Sequence, residues 1–258
     1  MREIKLQGVH NIRDLGGIAL QGGGAIIPGK LIRSSKLTEA TEMDIRRLMG
    51  TYGLRQIIDL RTPTEAAEAP DAEMPGVDTH FLPLISEEAF VGVTRDKESL
   101  RAMMQATKFP EMTEIYAVMV SERAEASWRK IFDVLLNNRG EAVLWHCAEG
   151  KDRCGLVSAM VLYALGASME DIEEDYLLTN KTAEPRAEEA YQKALQRTGQ
   201  EEIAENVRAA YVARKEYFEM AFAEIEKRHG TVEGFLENGC GLDAARLLEL
   251  RKRYTAKA

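Results

Sequence analysis

Residues 142–165 constrain the fold more than any other stretch. A short apolar run (142–145) leads into His146-Cys147-Ala148-Glu149-Gly150-Lys151-Asp152-Arg153-Cys154-Gly155, and a long apolar run follows (156–165). This order predicts a buried strand, a tight loop and the first turn of a helix, with Cys147 delivered into the loop. Backbone N–H groups of such a loop and of a helix N-terminus converge and favour negative charge. Arg153, six residues after the cysteine, can aim two N–H donors at one tetrahedral anion. Under that positive potential Cys147 is expected as the thiolate, the nucleophilic form. Gly150 and Gly155 are expected where backbone must approach the anion.

Elsewhere the chain alternates strand and helix signals. Residues 1–37 read as short strands and turns, with Gly22-Gly23-Gly24 at a tip, and residues 54–60 and 79–84 as strands. Helices are expected over 38–49 with Thr38 as cap, from Pro110-Glu111-Met112, and over 124–136 with Trp128, Ile131, Phe132 and Leu135 on one face. Gly166 should close the helix after the loop, and Ser168 should cap one over 169–178. The prediction is one α/β domain over residues 1–258, a mainly parallel central sheet flanked by helices, with the anion site at the strand C-termini. Residues 182–220 are charged, alanine-rich and helix-forming. Pro185 at a start and Gly199 as a break suggest a solvated helical hairpin.

Composition narrows the partners. A net charge of −8 argues against nucleic acid or an anionic membrane as ligand, so positive potential must be local to the loop. Three cysteines, two of them in the loop, make no disulfide framework and point to a reducing compartment. No run is long enough for a membrane span, and the first residues lack a signal-type apolar core. A cytoplasmic monomer is the default expectation, with export by a route that reads no such peptide as the alternative. Histidines at 10, 80, 146 and 229 are scattered, so no metal or cofactor is expected.

The His-Cys-x-x-Gly-Lys-Asp-Arg loop resembles the phosphate-binding loop of the cysteine-dependent phosphatases, in their bacterial tyrosine and dual-specificity branch. Agreement extends to Asn11-Ile12-Arg13-Asp14-Leu15-Gly16-Gly17, Leu31-Ile32-Arg33-Ser34-Ser35-Lys36-Leu37 and Ile57-Ile58-Asp59-Leu60-Arg61, and to Arg228-His229-Gly230 and Phe235-Leu236 near the end. The resemblance implies a metal-independent phosphatase acting through a cysteinyl-phosphate on phosphotyrosine or other phosphomonoesters. Its substrate would be a phosphorylated protein, a phospholipid or an inositol phosphate. A phosphoinositide or inositol-phosphate phosphatase is the second reading, supported by Lys151 at the mouth of the site, and a phosphate-binding pseudophosphatase the third.

The roles divide as follows. Cys147 is the nucleophile and Arg153 the anion clamp; His146, Ala148, Glu149, Gly150, Lys151 and Cys154 line the substrate. Relatives carry Ser or Thr where Cys154 stands, and a thiol is the poorer donor. The aspartate donor to the leaving group, usual after a strand like residues 80–84, is absent, with no aspartate until Asp96. The general acid is then Asp152, or else Glu87 or Glu88. Arg13, Asp14, Arg33, Ser34, Asp59 and Arg61 are expected to brace the loop through arginine–carboxylate pairs. The resemblance also suggests that residues 182–220 act partly as a lid, with Tyr191 and Tyr211 as its apolar contacts.

Overall fold

The computed structural model describes residues 2–86 and 112–257. Among these, six strands form one sheet: β1 (Arg2–Glu3), β2 (Arg13–Asp14), β4 (Leu31–Ser34), β5 (Leu54–Asp59), β6 (Asp78–Phe81) and β7 (Ala142–His146). The order is β1-β2-β4-β7-β5-β6. The last four pair in parallel, and β2 alone runs against the others, pairing antiparallel with β1 and β4, so the sheet is mainly parallel. A short ribbon pairs β3 (Ala25–Ile26) with β8 (Thr255–Ala256).

The central strand β7 is buried along its whole length, as expected of a parallel strand covered on both faces. Its side chains alternate between two cores. Val143 and Trp145 join the larger one, with Trp128, Phe132, Leu156, Met160 and Phe235. Ala142 and Leu144 join the smaller, with Ile4, Ile12, Ile32, Leu48 and Ile57. Helix α5 (Asp152–Leu165) starts directly at the loop and is buried over almost every residue, which explains why 156–165 is apolar on all sides. Gly166 ends it in the left-handed conformation, and Ser168 caps α6 (Met169–Leu178), both as the sequence predicts.

Three local readings differ. The first helix, α1 (Glu42–Arg46), is capped by Thr41, not Thr38, because Thr41 and Asp44 form a reciprocal capping box; a wide turn (Arg47–Thr51) follows. A helix not anticipated, α2 (Pro63–Glu68), follows β5, with Thr62 as cap and Pro63 and Glu65 in its first turn. Helices α3 (Met112–Met119) and α4 (Glu122–Asn137) come next; Pro110 and Glu111 fall outside the described residues. Pro185 lies within α7 (Asn180–Thr198) rather than at its start, because α7 begins two residues after α6 ends. It forgoes one early bond there. The hairpin partner is α8 (Glu201–Ala209), and α9 (Lys215–His229) follows. Among the described residues no helix is long and apolar enough to cross a membrane.

Candidate active site

The strand, loop and helix around Cys147 are those read from the sequence. The loop's conformation comes from its carbonyls. That of His146 accepts from Leu60 N–H (3.0 Å) and that of Ala148 from Lys36 N–H (3.2 Å). Asn11 Nδ2 donates to the carbonyls of Glu149 (2.9 Å) and Gly150 (3.0 Å), and Arg33 Nη2 to those of Gly150 (2.7 Å) and Lys151 (3.2 Å). In a trans peptide the following N–H points opposite to the carbonyl. The amides of residues 149–152 are therefore turned away from these partners, which makes the loop a nest of donors.

Gly150 has φ +67, and a Cβ there would lie 2.6 Å from the Ser34 carbonyl group. Gly150→Ala should cost about 2–4 kcal/mol from strain and overlap, read as a lower melting temperature with intact secondary structure. Gly155 serves another purpose than the anion approach expected of it. A Cβ there would meet the Tyr176 ring at 2.7 Å, so this glycine makes room for an aromatic side chain.

Cys147 lies buried at the foot of the loop. Burial pushes its pKa up, but the Cys154 thiol's hydrogen bond and the Arg153 charge outweigh burial and hold it at about 5. Cys154 is itself pushed well above the usual thiol range, by burial and by the neighbouring Cys147, so it stays protonated, and its Sγ donates toward the carbonyls of Ser34 (3.6 Å) and Trp145 (3.8 Å). Arg153 is held by Glu65 of α2, Nη2 lying 2.9 Å from Oε1 and Nη1 against Oε2. Glu65 Oε2 also accepts from Thr62 N–H (2.9 Å). Burial alone raises the Glu65 pKa, but its bonds to Arg153 bring it below the ordinary value.

Two carboxylate hubs brace the loop from behind. Asp175 of α6 takes Arg13 Nε at 2.7 Å and Arg33 Nη1, and burial is outweighed by the two guanidiniums, which keep it ionised. Arg13 Nη1 also donates to Asn11 Oδ1 (2.7 Å), joining this hub to the loop carbonyls. On the other side Arg61 Nη2 bridges Asp59 (2.8 Å) and Asp71 (2.9 Å), and His146 Nε2 lies 3.0 Å from Asp71 Oδ2. Among the described residues, Asp59, Asp71 and His146 bring potential metal ligands within 4.8 Å of one another. Arg61 already supplies the positive charge that both carboxylates require.

Asp14 and Lys151 depart from expectation. Asp14 accepts from the N–H groups of Gly16 (2.8 Å) and Gly29 (2.7 Å), so it fixes a turn and not the loop. Lys151 is not at the mouth: its side chain is 1% exposed, and Nζ donates to Asp152 Oδ1 and to the Val212 carbonyl (3.3 Å). Instead of bringing charge to the mouth, it is enclosed by its own loop and by the segment after α8.

Asp152, at the start of α5, is 20% exposed, and its Oδ1 also accepts from Tyr116 Oη (2.7 Å). Glu87 and Glu88 lie outside the described residues. Helix α7 reaches the loop through Arg186, whose Nη1 lies 2.6 Å from Glu149 Oε2. Tyr191 packs with Ala194, Leu195, Ala204 and Val207 inside the α7–α8 pair, and Tyr211, two residues beyond α8, joins this cluster and also lines a small cavity with Glu149, Lys151 and Arg186.

Sequence reasoning passed over Glu65, Asp71, Asp175, Asn11, Tyr116 and Tyr176. Thr62-Pro63-Thr64-Glu65 carried a visible capping signature and Asn11 opened the stretch 11–17 without being given a role; the others stood in no recognisable pattern.

Comparison with known proteins agrees with this geometry. A tyrosine-protein phosphatase of Cupriavidus necator, so named provisionally, is 30% identical over 96% of this chain and 86% of its own length. The triple specificity protein phosphatase PtpB of Mycobacterium tuberculosis is 28% identical over 96% of this chain and 97% of its own. A tyrosine-protein phosphatase of Nostoc commune is 25% identical over 89% and 75%. The sequence profile of the tyrosine phosphatase family matches residues 4–256, and this chain belongs to that family.

Proposed function

We propose that this protein hydrolyses phosphotyrosine and related phosphomonoesters through a cysteinyl-phosphate, without a metal ion. The observation that carries this reading is a buried Cys147 held near pKa 5 beneath a loop whose carbonyls are anchored away. The phosphoryl oxygens are received by amides of residues 148–153 and by Arg153, which supply the charge stabilisation that a metal gives elsewhere. Cys147 Sγ attacks phosphorus in line as the P–O ester bond breaks, and Asp152 gives its proton to the departing oxygen. Water then attacks the phosphocysteine, a proton returns to Asp152, and the P–S bond breaks to release inorganic phosphate and the thiolate. Cys154 donates its S–H to the departing sulfur, the part a hydroxyl plays in relatives.

A phosphorylated protein is favoured over a phosphoinositide. Lys151, the residue that would favour a lipid headgroup, has its ammonium enclosed by Asp152 and the Val212 carbonyl. An arrangement that keeps Cys147 ionised also favours turnover over mere phosphate binding.

Hydrolysis of p-nitrophenyl phosphate in EDTA tests the proposal. Activity should persist in chelator, be inhibited by vanadate, and fall by more than about 10³-fold in Cys147→Ser, since a hydroxyl is not ionised near neutrality. The acid limb of kcat/KM should lie near pH 5, turnover being lost as Cys147 is protonated. Full activity in Cys147→Ser would refute the mechanism, and a panel of phosphotyrosyl peptides and phosphoinositides decides the substrate class.

A further inference from the structure

Behind Asp152 lies a chain of hydroxyl groups that the mechanism above does not use. Tyr116 Oη of α3 lies 2.7 Å from Asp152 Oδ1 and 2.8 Å from Tyr176 Oη of α6. Tyr176 Oη in turn lies 3.3 Å from the Arg214 carbonyl, just before α9. Both rings are fully buried. Tyr176 stacks on Phe218 at 4.9 Å between centroids, and Tyr116 packs against Tyr217 at 5.8 Å. The absence of a side chain at Gly155 allows the Tyr176 ring to lie against the first turn of α5.

Building on the assignment of Asp152 as proton donor, we infer that Tyr116, backed by Tyr176, is a positioning residue that sets which oxygen of Asp152 carries the proton and how readily it is given up. Oδ1 already accepts from Tyr116 and from Lys151 Nζ (2.5 Å). A proton on that oxygen would have to displace one of these donors, so Tyr116 and Lys151 together oppose protonation at Oδ1. Two phenolic protons serve three contacts, Asp152–Tyr116, Tyr116–Tyr176 and Tyr176–Arg214. With Asp152 ionised, Tyr176 donates to Tyr116 and Tyr116 to Asp152, and the carboxylate is stabilised by a hydrogen bond that is itself polarised. Burial and then the charge of Asp152 push Tyr116 well above the usual phenol range, so it stays a donor throughout the working pH. Charged and titratable groups that face Asp152 include Lys151, Tyr116, Tyr176, Tyr217 and Cys147.

The test compares Tyr116→Phe, Tyr176→Phe and Asp152→Asn on phenyl phosphate, whose leaving group needs a proton, and on 2,4-dinitrophenyl phosphate, whose leaving group does not. Loss of a hydrogen bond to an ionised carboxylate should move the basic limb of kcat/KM upward by about one pH unit in Tyr116→Phe. The ratio of turnover on phenyl to dinitrophenyl phosphate should fall about fivefold. Tyr176→Phe, which keeps its ring and its packing, should give a smaller shift in the same direction. An unmoved limb and an unchanged ratio in Tyr116→Phe, with the basic limb abolished in Asp152→Asn, would overturn this inference alone. If Asp152→Asn retained the limb, the acid assignment would fall and the positioning role with it.

Discussion

Arg153→Lys is expected to lower turnover of an aryl phosphate by roughly 10³–10⁴-fold, comparable to the loss of a charge clamp in other phosphoryl-transfer sites. A lysine keeps the charge but loses the planar fork. In this structure the fork does two things at once. One edge is fixed on Glu65 of α2, which orients the guanidinium, and its charge is one of the effects that keep Cys147 ionised, beside hydrogen bonding from Cys154. A single ammonium cannot hold both carboxylate oxygens of Glu65 and also meet two oxygens of a trigonal-bipyramidal phosphoryl group. The acid limb of the pH profile should move upward as well, because the thiolate loses a close, oriented cation. Steady-state kinetics across pH on a variant with an unchanged melting curve would check this, and a loss below tenfold would contradict the assigned role. Glu65→Gln is the companion experiment. It leaves the arginine in place but weakens its anchor, so a smaller fall of about 10–100-fold is expected.

The second large effect concerns stability. Asp175→Asn should destabilise the fold by about 3–5 kcal/mol, because removing one partner leaves buried charge uncompensated. Arg33 is fully buried, Arg13 nearly so, and both guanidiniums converge on this one carboxylate. For a chain of this length that corresponds to a melting temperature lower by roughly 6–20 °C. The native state holds the Asp175 pKa below its ordinary value. Its contribution is therefore fully present above an unfolded pKa of about 3.9 and is lost as pH falls through the lower folded value. Wild type and Asp175→Asn should accordingly converge in stability under acid and diverge near neutrality, which chemical denaturation at pH 3 and pH 7 would show. Activity should fall with stability, since Arg33 and Arg13 reach the loop carbonyls directly or through Asn11.

The two experiments separate what local pattern reveals from what only packing can. Cys147, Arg153 and the outline of the loop were legible because everything that defines them lies within one short stretch. An apolar run makes a strand, Gly150 makes a turn with positive φ, and an apolar helix follows. The anchors of that loop come from far away. Glu65 lies 88 residues from Arg153, and Asp175 lies 162 residues from Arg13 and 142 from Arg33. An acidic residue on an amphipathic helix looks alike in sequence whether it faces water or two buried arginines. Asp171 and Asp175 belong to the same helix, and only the second is a hub. Lys151 and Asp14 show the converse, since a motif position suggested a role that the packed structure gives to other residues.

The sequence alone therefore determined the chemistry that is available: one sulfur, one guanidinium and a loop of amides, in an order that admits few arrangements. Tertiary structure decided how that chemistry is held, through Glu65 on Arg153, Asp175 on two arginines, Asp71 beside His146, and Tyr116 on Asp152. The reason is physical. Backbone conformation and hydrophobic periodicity are short-range properties written in neighbouring residues. The pairing of buried charges depends on which faces of distant helices meet, and that is settled only when the two cores have packed.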